Sequence, residues 1–160
     1  MRLAFAGCLL SMLAGCASTK EEPVTSSPLW PVHHVSISID RPPADVYAYA
    51  ADPTHLPRWA KGLANAPAEL HGKDLVVDSP MGKVKVRFAE RNPHGILDHD
   101  VTLPSGKTVH NPMRVLPNAR GSEVVFSVFQ RPGTDAAEFR RDTDAVTRDL
   151  RALKELVEAR

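Results

Sequence analysis

Val35-Ser36-Ile37-Ser38-Ile39-Asp40-Arg41-Pro42-Pro43-Ala44-Asp45-Val46-Tyr47-Ala48-Tyr49-Ala50-Ala51-Asp52-Pro53-Thr54-His55-Leu56-Pro57-Arg58-Trp59 is the stretch whose reading decides the fold. From His33 to Asp40 apolar Val35, Ile37 and Ile39 alternate with serines, the period of two that marks a half-buried strand. Arg41-Pro42-Pro43 ends it, because proline offers no N–H to a ladder. Residues 44–51 then read as a short helix, with Pro43 at its first turn, where a missing N–H costs nothing. Val46, Tyr47 and Ala50 sit at helical spacing. Asp52-Pro53 restarts the chain with a capping carboxylate and a proline, which predicts a second short helical piece ending near Trp59.

Downstream, glycines at 62, 72, 82, 95, 106, 121 and 133 fall at the intervals of hairpin turns. The runs between them predict strands over 74–78, 83–90, 96–103, 108–116 and 123–130. Pro112 interrupts the fourth of these, as an edge strand or a bulge would allow. Residues 134–160 hold neither Gly nor Pro. Phe139, Thr143, Val146, Leu150, Leu153 and Val157 recur there at intervals of three and four, one apolar stripe on a helix long enough to cross a sheet. Asp135 is placed to cap its start.

The opening, from the Val/Ile strand through Pro42-Pro43, Val46-Tyr47 and Asp52-Pro53 to Leu56-Pro57-Arg58-Trp59, resembles that of START-like proteins of the polyketide cyclase/dehydrase type, the SRPBCC superfamily. The meander and long final helix match the same pattern, so the likeness spans residues 33–158. It implies an α+β helix-grip: a curved antiparallel sheet wrapped around the C-terminal helix, with an apolar cavity between them. A concave sheet holding one helix closes less tightly than two flat layers, which agrees with such a cavity. Trp59, Val84, Val86, Met113, Phe126, Val128, Phe139, Val146 and Leu150 are the expected lining. The fold hosts carriers, cyclases and passive binders alike, so the likeness leaves function open.

The N-terminus reads as an address. Met1-Arg2 carries one positive charge, and the 13 residues from Leu3 to Gly15 carry none, too few to span a bilayer. Leu13-Ala14-Gly15-Cys16 resembles a bacterial lipobox, which implies a signal peptide over 1–15, lipid on the Cys16 sulfur and a membrane partner. By the same resemblance, Ala17-Ser18 in place of a retention Asp favours the periplasmic side of an outer membrane over the inner membrane in a cell that has both. Residues 16–31, rich in Pro, Ser and Thr, form the expected tether, with Leu29 and Trp30 expected to dock on the domain over 32–160 and a bilayer interface as the alternative place for Trp30.

Composition limits the functions. With 20 Lys+Arg against 19 Asp+Glu and 6% aromatic residues, the chain lacks the basic surface of a nucleic-acid binder. Removal of 1–15 takes Arg2 and Cys8, leaving a neutral chain whose one cysteine is Cys16. There is no phosphate loop, nucleophile elbow or cofactor fingerprint, and the seven histidines lack metal-ligand spacing, so neither cofactor nor metal is expected.

Asp98-His99-Asp100 is the strongest chemical candidate. Strand alternation sends His99 to one face and both carboxylates to the other. If His99 faces the cavity, with His110 as cross-strand neighbour, it can act as acid or base while Arg114 stabilises an enolate. Arg114 has a competing partner in Asp98 or Asp100. The leading expectation is a lipid-anchored binding protein for a small hydrophobic or amphipathic ligand, oriented by His99, His110 or Arg114. A cyclase or dehydratase using His99, and a non-catalytic interaction lipoprotein, are the alternatives.

Overall fold

The computed structural model describes residues 29–64, 66 and 68–160; the expected signal peptide, Cys16 and most of the expected tether lie outside them. The chain runs β1 (Val32–Ile39), α1 (Pro43–Ala50), a 3-10 turn (Pro53–His55), α2 (Leu56–Trp59), β2 (Glu69–His71), β3 (Asp74–Ser79), β4 (Gly82–Phe88), β5 (His99–Thr102), β6 (Thr108–Asn111), β7 (Met113–Asn118), β8 (Gly121–Phe129) and α3 (Ala136–Glu158). This is the α+β helix-grip, an antiparallel sheet curved around one long helix.

Two ladders make the sheet, β1-β8-β7 and β2-β3-β4-β5-β6. They join because β6 and β7 are two halves of one strand bent at Pro112, which has no N–H for either ladder. The expected single strand over 108–116 is therefore two. The expected strand over 96–103 also divides: His99–Thr102 pairs with β4 and β6, whereas Ile96 bridges Arg114 of β7. Asp98 sits at that division, and its carboxylate accepts the Met113 amide at 2.9 Å and ion-pairs with Arg114. Strand β2, three exposed residues long, had no counterpart in the sequence pattern.

Helix α3 starts as its sequence requires, with the Asp135 carboxylate accepting from the amides of Ala137 and Glu138 at 2.8 Å. It packs most extensively against β1, then against α2 and β8. At its C-terminal half Leu150, Leu153 and Val157 are buried, in one core with Val46, Tyr49 and Leu56. Each such side chain is worth about 1.5–3 kcal/mol. Glu158 accepts the Asp40 amide at 2.7 Å and Lys154 donates to the Ser38 carbonyl at 2.8 Å, which ties this end of the helix to the end of β1.

A groove of about 310 Å³ lies outside this closed end, over Tyr49. His55 stacks on the Tyr49 ring at 4.0 Å and Arg160 covers it at 4.6 Å. Arg41 donates to the carbonyls of Glu158 and Arg160, so its cation is engaged in holding the helix end. At the other end of β1, Trp30 meets Phe129 edge-on at 6.4 Å, while Leu29 is 98% exposed and does not dock.

Candidate ligand site at the open end of the grip

The inner face of the sheet is set by register. Val86 of β4 faces Leu75 and Val101; two pairs along, on the same face, Phe88 faces His99, and His99 faces Asn111 of β6. On the other ladder Met113 and Val35 both flank Phe126. Paired residues share a face, so His99, Phe88 and Asn111 stand together on the inner face beside Phe126.

The expected lining residues are brought together. Trp59, Val84, Val86, Met113, Val128 and Leu150 are buried in one core, and Phe126, Phe139 and Val146 pack against it while only half-buried. Burial is graded along α3: the stripe is sealed from Leu150 to Val157 and half-open from Phe139 to Val146. Phe88, Asn111, Phe126 and Thr143 are half-buried at the same end. Packing is therefore tight over β1 and α1 and looser around His99, where Phe88, Asn111 and Phe126 are half-buried.

His99 is 5% exposed and lies between aromatic rings, 4.9 Å from Phe88 and 5.8 Å from Phe126. Desolvation pulls its pKa down to about 4, outweighing the hydrogen bond to Leu97 that favours the cation, so the ring is neutral near pH 7. Its Nδ1 lies 3.1 Å from the Leu97 carbonyl. A carbonyl only accepts, so the proton of the neutral ring is on Nδ1 and Nε2 carries a bare lone pair. Among the described residues, Nε2 has no protein partner.

The other two polar candidates are elsewhere. His110 is opposite Asp100, not His99, and its Nδ1 is 2.7 Å from the Asp100 carboxylate on the outer face of the sheet. Arg114 is held by Asp98 and also donates to the Met113 carbonyl, so it braces the strand corner. The corner lies at the bend between the two ladders, and sequence alternation alone could not choose between Asp98 and Asp100 as partner.

Two groups were not singled out in the sequence. Asn111 shares the inner face with His99, and the cross-strand register reveals it. The indole Nε1 of Trp59 is buried with no hydrogen-bond partner among the described residues. Arg131 and Asp142 mark the rim: Arg131 donates to the His110 carbonyl and is partly desolvated, which lowers its pKa, while the Asp142 charge raises it. Burial raises the Asp142 carboxyl in turn. Among the described residues no three His, Cys, Asp or Glu side chains stand close enough to hold a metal ion, and no helix is long and apolar enough to cross a membrane.

The family model for polyketide cyclase / dehydrase and lipid transport matches residues 32–158. The chain belongs to that family, within the START-like SRPBCC superfamily. Solved structures similar to this member include protein XoxI from Bacillus cereus, with TM-score 0.63, 15% identity, and coverage of 79% of this chain and 94% of that one. Protein CV1439 from Chromobacterium violaceum has TM-score 0.59 and 15% identity, covering 79% and 97%. DynU16, a putative protein in the dynemicin biosynthetic locus, has TM-score 0.62 and 18% identity; the match covers 79% of this chain and 47% of DynU16, so this chain spans about half its length. At these identities the likeness is one of fold. No curated protein matches the sequence.

Proposed function

We propose that this family member is a membrane-anchored extracytoplasmic protein that binds a small hydrophobic or amphipathic molecule at the open end of its grip. The observation that carries the reading is the graded seal of α3, buried from Leu150 to Val157 and half-open from Phe139 to Val146 above an aromatic inner face. Apolar surface left half-covered there gains about 25 cal/mol per Å² on burial by a ligand, before the costs of association. The anchor rests on Leu13-Ala14-Gly15-Cys16 after an uncharged run. It places the site beside a reservoir of ligands that partition into lipid.

A cyclase or dehydratase mechanism needs a base and a stabiliser for the developing anion. His99 is the inward imidazole, but burial makes it a weak base, His110 is on the other face and Arg114 is held by Asp98. Binding without chemistry is the better-supported reading.

The test uses the full-length chain expressed in a bacterium that processes lipoproteins. Membrane fractionation should place it with membranes, and Cys16→Ser should release it; equal fractionation of both removes the anchor. Native mass spectrometry of the released form should show a co-purifying apolar molecule. A protein that arrives empty and takes up no member of an apolar panel removes the binding reading.

A further inference from the structure

Two polar groups of the interior have no protein partner among the described residues: the Trp59 Nε1–H, a donor at the end of α2, and His99 Nε2, an acceptor between aromatic rings. Among the described residues, the buried polar or charged residues are His99 and Ser122 alone. Ser122 is satisfied by the Arg41 carbonyl, to which its hydroxyl donates at 2.6 Å at the closed end. His99 is not satisfied. Its Nδ1–H is committed to Leu97, its ring is fixed against Phe88 and Phe126, and its Nε2 is left as an acceptor without a donor. The ring is buried, but Nε2 is not sealed off as Trp59 Nε1 is, so an entering ligand reaches it, and one that supplies a donor gains roughly the tenfold of one neutral hydrogen bond.

Asn111 is the cross-strand neighbour of His99 on the same face. Its amide nitrogen donates one N–H to the Val109 carbonyl at 3.2 Å, which leaves its side-chain oxygen as an acceptor and its second N–H as a donor beside His99. Of the nearby cations, Arg114 is paired with Asp98, and Arg131 donates to the His110 carbonyl at the rim with the Asp142 charge near it. Bringing an anion onto an apolar face without a free cation is strongly unfavourable.

Resting on the binding reading above, we infer that the open end of the grip selects uncharged apolar molecules bearing a hydroxyl or N–H group that donates to His99 Nε2, and rejects carboxylate and phosphate amphiphiles of the same size. His99 is then a specificity-determining residue, and the Asn111 amide beside it can both accept from and donate to a hydroxyl attached directly to an apolar ring or chain.

The experiment compares three probes of one skeleton, naphthalene, 2-naphthol and 2-naphthoate, by calorimetry near pH 7 on the full chain and on His99→Phe. The expected result is binding of 2-naphthol about tenfold tighter than naphthalene, the worth of one neutral hydrogen bond, with 2-naphthoate weakest. In His99→Phe the ratio of 2-naphthol to naphthalene should fall to about one while naphthalene still binds. A measurement on the unaltered protein guards against a misfolded variant: the ¹⁵N shift of His99 Nε2 should move on adding 2-naphthol and stay put on adding naphthalene. If all three probes bind with no preference, or 2-naphthoate binds best, the inference fails and the binding reading survives. If none binds, both fail.

Discussion

The backbone N–H of Gly62 donates to both carboxylate oxygens of Asp149, each at 3.2 Å, so the loop after α2 is fastened to the middle of α3. Burial pushes the Asp149 carboxyl up to about 6, against the amides of Gly62 and Lys61 and the charge of Arg148, which lower it. A raised pKa means that the folded protein holds this proton more tightly than the unfolded chain. The contribution is therefore complete below about pH 4 and is lost as pH rises through about 6. Asp149→Asn keeps an acceptor for Gly62 without the charge. It should be more stable than the parent at pH 7 by about 1–2 kcal/mol, once partial exposure is discounted, with the difference closing below pH 4. Urea titrations across that range check it; parallel curves would show that Asp149 titrates normally.

His99 works in the opposite sense over the same window. Its pKa is depressed to about 4, so the unfolded chain takes up the proton first as pH falls. Its stability contribution is present above about pH 6.5 and is lost as pH falls toward 4, on the order of 3 kcal/mol in all. Asp149 and His99 therefore offset each other between pH 4 and 6, and the parent protein should show a shallow pH profile there. His99→Phe should unmask a stability that rises on acidification, and Asp149→Asn one that falls. Denaturation midpoints of the two single variants at pH 4.5 and 6.5 decide; slopes of the same sign would contradict the assignment.

The strand corner depends more on Asp98 than on Arg114. Asp98 is the less exposed partner, at 19% against 38%, and it alone accepts the Met113 amide. Asp98→Ala leaves that amide unpaired and the guanidinium with the Met113 carbonyl alone, and should cost about 2–4 kcal/mol. Arg114→Met removes a half-exposed cation while Asp98 keeps its amide, and should cost about 1 kcal/mol. Hydrogen exchange at Met113 should accelerate in Asp98→Ala and stay slow in Arg114→Met; equal effects would mean that the ion pair, not the amide bond, holds the corner.

The elements legible in the sequence were those whose own residues determine them. Alternation at Val35, Ile37 and Ile39, the proline start of α1, the Asp135 cap and the stripe of α3 are local signals, and the structure follows each. What was not legible depends on pairing across long separations. The division of the 96–103 strand follows from the Asp98 contact to Met113, fifteen residues away. The register that puts His110 opposite Asp100 and Asn111 opposite His99 is set by how the β5–β6 turn closes, and a slip of one residue would have reversed both. Strand β2 carries no apolar pattern because all three of its residues are exposed; its pairing with β3 defines it. An unsatisfied atom such as Trp59 Nε1 has no sequence signature, since only the surrounding packing decides whether an acceptor is in reach.

That indole gives a prediction of unusual sign for a core residue. Trp59 is buried at the junction of α2 and α3, and its Nε1–H has no acceptor among the described residues. Leaving a buried donor unpaired costs about 1–3 kcal/mol, which Trp59→Phe removes. The same substitution gives up part of the ring and leaves a small void, a cost of similar size. The two effects nearly cancel, so Trp59→Phe should lie within about 1 kcal/mol of the parent, whereas Trp59→Ala, which loses the whole ring, should cost about 3–5 kcal/mol. Chemical denaturation of the two variants tests the pair. A loss of about 3 kcal/mol or more in Trp59→Phe would show that the indole N–H is satisfied in solution, by a bound water or ligand, and that the substitution had broken that bond.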